Sequence, residues 1–287
     1  MTPAEVAGGR LLLCPTPIGN LGDVTLRVLQ ALREADLIAC EDTRHTRVLL
    51  ERHEIRARLA SLHEHNERSR ARELAERIGA GATVALVSDA GTPLVSDPGF
   101  ALVQECLAAG LPVEVLPGAS AVITALVASG LPAERWCFAG FLPRKRGELE
   151  RLLGQAEQTL VAFESPRRLA ATLATLAALD PGRPVAVCRE LTKLHEEVRR
   201  GGAAELAEHF AAAPARGEIV LVVGAPAGSG GIALQDALVA LRELVDAGAR
   251  ARPAASALAK LTGLGANELY RGLTQPGPGR GGNPSGQ

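Results

Sequence analysis

The chain has 287 residues, 47% hydrophobic and 22% charged, with a formal net charge of −1. That length and composition predict about two domains with packed cores and exclude a disordered chain. Near-neutral charge also excludes a uniformly basic nucleic-acid coat, so any such contact must be a local patch.

Arg10–Cys14 (R-L-L-L-C) reads as a first strand. It enters Pro15–Asn20, a stiff turn with a glycine exit, after which Asp23 is placed to cap a helix over Thr25–Ala35. This loop is not G-x-G-x-x-G, so the dinucleotide fingerprint is absent. Asp36–Cys40 is a second strand, ending in the polar cluster Glu41-Asp42-Thr43-Arg44-His45-Thr46-Arg47. Two readings of that cluster stand level: a helix start capped by Asp42 or Thr43, or site residues Glu41, Asp42 and Arg44 at a sheet edge. Leu59–Leu62 is a weak strand, followed by His63-Glu64-His65-Asn66-Glu67 and a helix to Ile78 capped through Asn66. His63 and His65 share a face on a strand, but two ligands without a third do not make a metal site. Either histidine remains a candidate substrate contact.

Thr83–Val87 reads as a buried parallel strand that ends in Ser88–Gly99 (S-D-A-G-T-P-L-V-S-D-P-G), with a helical pattern beginning near Pro98. Open α/β sheets hold ligands at such carboxyl edges. Gly91 permits close backbone approach, while Asp89 and Asp97 put negative charge there, which suits a cationic or hydroxyl-rich ligand. An ordinary strand-to-helix turn explains the same residues. Phe100–Ala109 is a helix and Leu111–Leu116 a strand, leading through Pro117-Gly118-Ala119-Ser120-Ala121 into the apolar helix Val122–Ala128. Small residues there serve either a ligand lying on helix N–H groups or tight helix packing. The repeated β-α pattern up to about Gly130 implies a parallel, doubly wound sheet.

The second half changes character. Trp136–Phe141 is a strand, Leu142–Gly147 (L-P-R-K-R-G) a basic turn and Glu148–Gln155 a helix. Thr159–Phe163 and Pro184–Cys188 are strands, followed by Glu164–Arg168 and Arg189–Lys193; a helix holds Glu205–Phe210, and Gly217–Val223 is the closing strand. Ala225–Gly231 is a Pro/Gly/Ser linker to helices at Ile232–Ala247, Pro253–Leu261 and Ala266–Tyr270. From Arg242 onward six basic residues face three acidic ones, which suits a nucleic-acid contact; a helical cap serving a dimer competes. The Pro/Gly-rich residues 276–287 read as disordered. Five cysteines, an odd number without a C-x-x-C pair, read as reduced thiols of a cytosolic protein. The apolar runs are too short to span a bilayer and no signal segment opens the chain, so a cytoplasmic location is expected.

Taken in register, P-T-P-I-G-N at 15–20, E-D-T-R-H-T at 41–46, H-E-H-N-E at 63–67, S-D-A-G-T-P at 88–93 and R-E-L-T-K at 189–193 resemble the ribosomal small subunit methyltransferase I family of the tetrapyrrole-methylase superfamily. The likeness covers about Arg10 to Ala225, and the terminal helices look like that family's extension. It implies two α/β domains of the tetrapyrrole methylase (class III S-adenosylmethionine methyltransferase) type at 10–117 and 118–225, a helical extension at 232–275 and a tail at 276–287. The implied reaction is S-adenosylmethionine-dependent 2′-O-methylation of a cytidine ribose in small-subunit (16S) ribosomal RNA, by a homodimer acting on the assembled small subunit, without metal or membrane.

For the cofactor the resemblance implies Ile18, Gly19, Asp89, Ala90, Gly91, Thr92, Val95, Gly118, Ala119 and Ser120, with Phe163, Arg189 and Glu218 from the second domain. Thr92 stands where many relatives carry aspartate, so whether Thr92 or Asp89 meets the methionine amino group stays open. Glu41, Asp42, His63 and His65 are candidate proton acceptors, with Lys193 or Arg44 able to stabilise an alkoxide; the 41–44 cluster is favoured. Arg44, Arg47, Arg144, Lys145 and Arg146, with Arg250, Arg252 and Lys260 in the extension, are candidate phosphate contacts. With seven aromatic residues in the chain, base stacking is expected to be minor beside arginine planes, shape and a splayed-out nucleotide. Two rivals remain: a tetrapyrrole C-methyltransferase of the same fold, and a non-catalytic RNA-binding protein.

Overall fold

Two of the apolar runs become neighbouring central strands, and their pairing decides where the loops meet. The computed structural model describes residues 8–226, 234–262 and 264–274. The first sheet is built from β1 (Arg10–Cys14), β2 (Leu37–Cys40), β3 (Leu59–Ser61), β4 (Thr83–Val87) and β5 (Val113–Val115). Its order is β3-β2-β4-β1-β5, with every pairing parallel. Because successive strand residues point to opposite faces, β1 sends Leu12 and Cys14 into one core and Leu11 and Leu13 into another. Helices α1 (Leu26–Glu34) and α2 (Thr43–Arg52) cover the first face through Val28, Leu32, Leu49 and Leu50. On the other face lie α3 (Glu67–Gly79) and α4 (Phe100–Ala108), through Leu74, Ile78, Leu102 and Cys106. Burial on both faces is what a parallel sheet requires.

The second sheet is mixed. Its strands are β6 (Trp136–Phe141), β7 (Thr159–Glu164), β8 (Pro184–Arg189), β9 (Glu197–Gly202) and β10 (Ile219–Val223), in the order β6-β7-β10-β8-β9. Only β6 and β7 run parallel; the other neighbours are antiparallel. Helix α5 (Ala121–Ser129) packs on this sheet through Val122, Ala125 and Leu126. The remaining helices are α6 (Arg146–Gln155), α7 (Leu169–Leu179) and α8 (Ala203–Ala212). Both sheets belong to one compact unit, residues 8–155 and Thr159–Gly224 among those described.

A second unit holds α9 (Leu234–Asp246), α10 (Ala251–Thr262) and α11 (Ala266–Thr274), packed around Ala237, Leu241, Ala255, Leu258 and Leu269. The Arg252 guanidinium lies 5.2 Å from the centre of the Tyr270 ring, a cation–π contact. Beyond residue 226, the linker expected at 225–231 lies outside the described residues, as does the tail expected at 276–287.

Several local expectations need correction. Asp23 does not cap α1: it sits in a 3-10 turn, Leu21–Asp23, and Thr25 accepts the Val28 N–H instead at 3.2 Å. Asn66 gives α3 no side-chain cap, because its carbonyl accepts from His63 N at 2.9 Å and its amide donates to Ser61 O at 3.2 Å. Helix α6 starts at Arg146, inside the turn expected to precede it. Strand β9 was not anticipated, since E-V-R-R-G-G lacks apolar alternation; it is an edge strand paired only with β8, where charge is tolerated.

Helix α4 begins at Phe100, two residues after Pro98, behind Gly99 at φ 121°. A Cβ there would lie 2.5 Å from Leu86 Cδ2. Gly99→Ala should therefore cost about 1–3 kcal/mol in chemical denaturation; an unchanged midpoint would mean that the turn relaxes without strain.

Candidate active site at the strand ends

Because β1 and β4 end side by side, the loops leaving them meet. Thr16 N donates to Gly91 O at 2.9 Å and Gly91 N returns the bond to Thr16 O at 3.0 Å. Thr16 Oγ1 donates to Ser88 O at 3.0 Å, and Ser88 Oγ to Gly91 O at 2.8 Å. The loop after β5 joins them: Thr92 Oγ1 donates to Ala119 O at 3.1 Å, and Gly118 lies so close to Pro15 that a Cβ would fall 2.6 Å from the proline Cβ. Asp89 accepts the Asp42 N–H at 3.1 Å, which draws in the loop after β2. Four separate stretches of sequence thus share one edge.

This edge is tied to the second sheet. Ile18, 6% exposed, packs in the core formed by Val122, Leu126, Val161, Leu191 and Val220. Gly19 backs onto Lys193, whose Nζ bonds Glu190 at 2.9 Å and Glu218 at 3.0 Å. Burial opposes the charge on Lys193, but these two carboxylates outweigh it and raise its pKa above the ordinary lysine value. Lys193 is therefore a clamp between loops rather than a free cation. Leu94, Ser96, Glu190 and Thr192 all adopt positive φ without being glycine, so backbone strain gathers in the two facing loops.

Between the loops lies a cavity of about 450 Å³, within the range of small-molecule sites. Of the residues expected from sequence, Ile18, Glu41, Ala90, Val95, Phe163 and Glu218 line it. Gly19, Asp89, Gly91, Thr92, Gly118, Ala119 and Ser120 lie in the loops that carry this lining, and Ser120 caps α5 by accepting from Ile123 N. Arg189 is engaged elsewhere, donating to Glu197 at 3.2 Å and to the Arg216 carbonyl. Ser96, Phe141, Glu164 and Ser165 also line the cavity without any signal in the sequence that marks them, and Asp97, expected there only as negative charge at the sheet edge, lines it too.

Charge in the cavity is negative. Burial, then the nearby Glu41 and Asp89, push the Asp97 carboxyl up to about 6. Glu41 is raised as well, by burial and then by Asp89, with His63 pulling the other way. Within the 41–44 cluster only Glu41 faces the cavity. Asp42 caps α2, accepting from Arg44 N at 2.8 Å and pairing with the Arg44 guanidinium at 2.8 Å, which holds its carboxyl down at about 2. The His63 and His65 rings meet edge to face at 6.0 Å, and His63 Nδ1 is buried without a hydrogen-bond partner among the described residues. Arg47, Arg144, Lys145 and Arg146 are exposed on the two-sheet unit, and Arg250, Arg252 and Lys260 on the helical unit. Apolar surface beside several carboxylates suits a ligand that combines a flat apolar group with positive charge.

A family model described as tetrapyrrole (corrin/porphyrin) methylases matches residues 10–207. The chain is 49% identical over 278 residues to ribosomal RNA small subunit methyltransferase I of Mesorhizobium japonicum, covering 95% of this chain and 94% of that protein. Against the protein of the same name in Mycobacterium tuberculosis, identity is 47%, covering 94% and 96%. A third of that name, from Thermotoga maritima, is 44% identical over 217 residues, which are 75% of this chain but 98% of that one. Among solved structures, uroporphyrin-III C-methyltransferase from Thermus thermophilus complexed with S-adenyl homocysteine has a TM-score of 0.53 at 23% identity, covering 75% and 97%. A diphthine synthase has a TM-score of 0.59 at 18% identity, covering 75% and 90%. These structures share the fold described above.

The charge on Asp97 makes a prediction for the ligand-free protein. Its folded-state pKa of about 6 lies above the ordinary 3.8, so folding favours the protonated form. Stability attributable to this group is present at low pH and is lost as pH rises through about 6. Asp97→Asn should therefore raise Tm at pH 7.5, with the gap closing as pH falls toward 4; a gap independent of pH would contradict the assignment.

Proposed function

We infer that this chain, which belongs to the ribosomal RNA small subunit methyltransferase I family within the tetrapyrrole methylases, is an S-adenosylmethionine-dependent enzyme that methylates a cytidine ribose 2′-hydroxyl in small-subunit ribosomal RNA. The observation that carries this is identity of 42–49% over nearly the whole chain to proteins of that name. The Thermotoga maritima protein is almost fully spanned by 217 residues of this chain. That length supports placing the activity in the two-sheet unit, with the helical unit as an addition.

The cavity fits the cofactor by its chemistry. Ile18, Val95, Phe163 and Leu191 offer apolar surface for an adenosyl group, and Glu41 and Asp97 favour positive charge. Backbone groups at Ala90 and Gly91 and around Ala119 and Ser120 are held in place by the loop bonds described above. When bound, S-adenosylmethionine supplies an electrophilic methyl group on a positively charged sulfur. The chain's own contribution is first to hold the ribose oxygen in line, which removes much of the entropic part of the barrier. A ribose hydroxyl also needs a proton acceptor. Glu41 takes that role, because it faces the cavity and burial makes it more basic than an exposed glutamate. Asp42 and Arg44 position the start of α2, His63 steadies the Glu41 charge, and Lys193 ties the segment after β8 to the one before β10 through Glu190 and Glu218.

The substrate in this reading is RNA within the assembled small subunit, and the enzyme works in the cytoplasm as a homodimer. The odd number of cysteines without a C-x-x-C pair supports a reducing compartment. No helix among the described residues is long and apolar enough to cross a membrane. Val115 on the edge strand β5, and Ile123 and Val127 of α5, are exposed apolar side chains of the kind that a self-association contact would cover.

Labelled cofactor offered with small ribosomal subunits, naked ribosomal RNA or a tetrapyrrole should label RNA. Label in the tetrapyrrole would favour the C-methylating alternative. Glu41→Gln should lower the single-turnover rate at saturating cofactor by about 10²–10⁴-fold. A full rate in that variant would remove Glu41 from the role.

A further inference from the structure

We propose that the groove between α6 and α7 binds the phosphate backbone of the RNA beside the target nucleotide, and that the Phe141 ring at the cavity mouth stacks on the base of that nucleotide. Both halves rest on the RNA-methylating reading above. Three of the chain's five phenylalanines gather here: the Phe163 ring lies 5.1 Å from that of Phe138 and 5.3 Å from that of Phe141. Phe138 and Phe163 also pack into the second core, but Phe141 lines the cavity and is still 64% exposed. The register of β6 shifts between Phe138 and Phe141, and Gly140 turns there at φ 65°. An aromatic face held open beside carboxylates that favour a cation is a platform for a flat base. Stacking of this kind tolerates any base, so the small number of aromatics in the whole chain does not weigh against one well-placed ring.

The basic groove begins three residues further on. It has a volume of about 560 Å³ and is lined by Arg144, Arg146 and Arg168 over Leu149 and Thr172. Arg168 donates to the carbonyls of Leu142 at 3.1 Å and Pro143 at 2.5 Å, and lies 3.4 Å from Glu164. Glu164, 3% exposed, also lines the cavity and accepts from Thr172 Oγ1 at 2.5 Å. One buried carboxylate–arginine couple thus fixes the turn that joins cavity to groove. Arg144 is exposed and makes no ion pair among the described residues. Arg146 pairs with the half-buried Glu150 and Lys145 with the exposed Glu148, and pairs whose cations face solvent contribute little and yield readily to phosphate. Three residues of chain span at most about 10 Å, so the groove lies within reach of the phosphates that flank a base stacked on Phe141.

The test measures binding and turnover of full-length variants with naked small-subunit ribosomal RNA and with assembled subunits, across a salt series. Cofactor affinity is followed by calorimetry. Combined Arg144→Ala and Arg146→Ala should raise KM for RNA about tenfold or more and reduce the log–log salt slope by about 1.4 to 1.8, with the cofactor Kd unmoved. Arg77→Ala, an exposed arginine on α3, should leave the slope unchanged. Phe141→Ala should raise KM for RNA about tenfold, and Phe141→Trp should restore it. Unchanged RNA affinity and slope in the arginine variant would overturn the groove. A weaker cofactor Kd in Phe141→Ala, with RNA affinity intact, would overturn the stacking. If the wild type labels no RNA, the functional reading itself fails; labelling by the wild type with unchanged variants overturns only the present proposal.

Discussion

Thr16 and Gly91 exchange two backbone hydrogen bonds just beyond the ends of β1 and β4, and the site is assembled around that exchange. It is possible because the chain leaves β1, builds two outer strands and returns to lay β4 beside β1. Loops that are 72 residues apart in sequence, at Thr16 and Ser88, then close on each other through buried hydroxyls. Such groups would be costly if unpaired in the interior, so the loops are held in one arrangement. Ile18 is consequently delivered into the core of the second sheet, and Gly118 and Ala119 are drawn against the same edge. The cavity has backbone for much of its structure because backbone pairing built it.

Strain and charge are concentrated where the loops face each other. Four non-glycine residues with positive φ lie in these two segments, and Glu41, Asp89 and Asp97 crowd negative charge into partly buried space. Neither feature stabilises the empty fold. Both make sense in a site that awaits a cationic ligand: the cost is carried by the surrounding cores, and a positive charge relieves the repulsion when it arrives. Lys193 performs the complementary task outside the cavity, holding Glu190 and Glu218 together so that their charges do not add to the crowding.

Much of this was legible in the sequence, for identifiable reasons. The central strands are short apolar runs ending in Gly, Asp, Ser and Pro, and their carboxyl edges could be placed from that punctuation alone. Side-chain direction could not. E-D-T-R reads equally as a helix cap and a catalytic cluster, and the structure divides the roles: Asp42 caps, while Glu41 faces the cavity. Asp97 was visible as charge but not as a lining residue, because its burial depends on loops from elsewhere in the chain. Phe141 ends its strand like any apolar residue, and only the bulge at Gly140 and the exposed ring mark it out. Strand β9 carried no signal, since an edge strand rich in arginine and glycine looks like a loop until its partner β8 is in place.

The central claim is that loops from both sheets close around one methyl donor. Amide hydrogen exchange on adding S-adenosylhomocysteine tests it most directly. Slowed exchange is expected together in 88–97 of the first sheet's loops and in 163–166 and 217–220 of the second, with little change in the helical unit. Slowing confined to one sheet, or absent from both, would contradict a shared cavity for the donor.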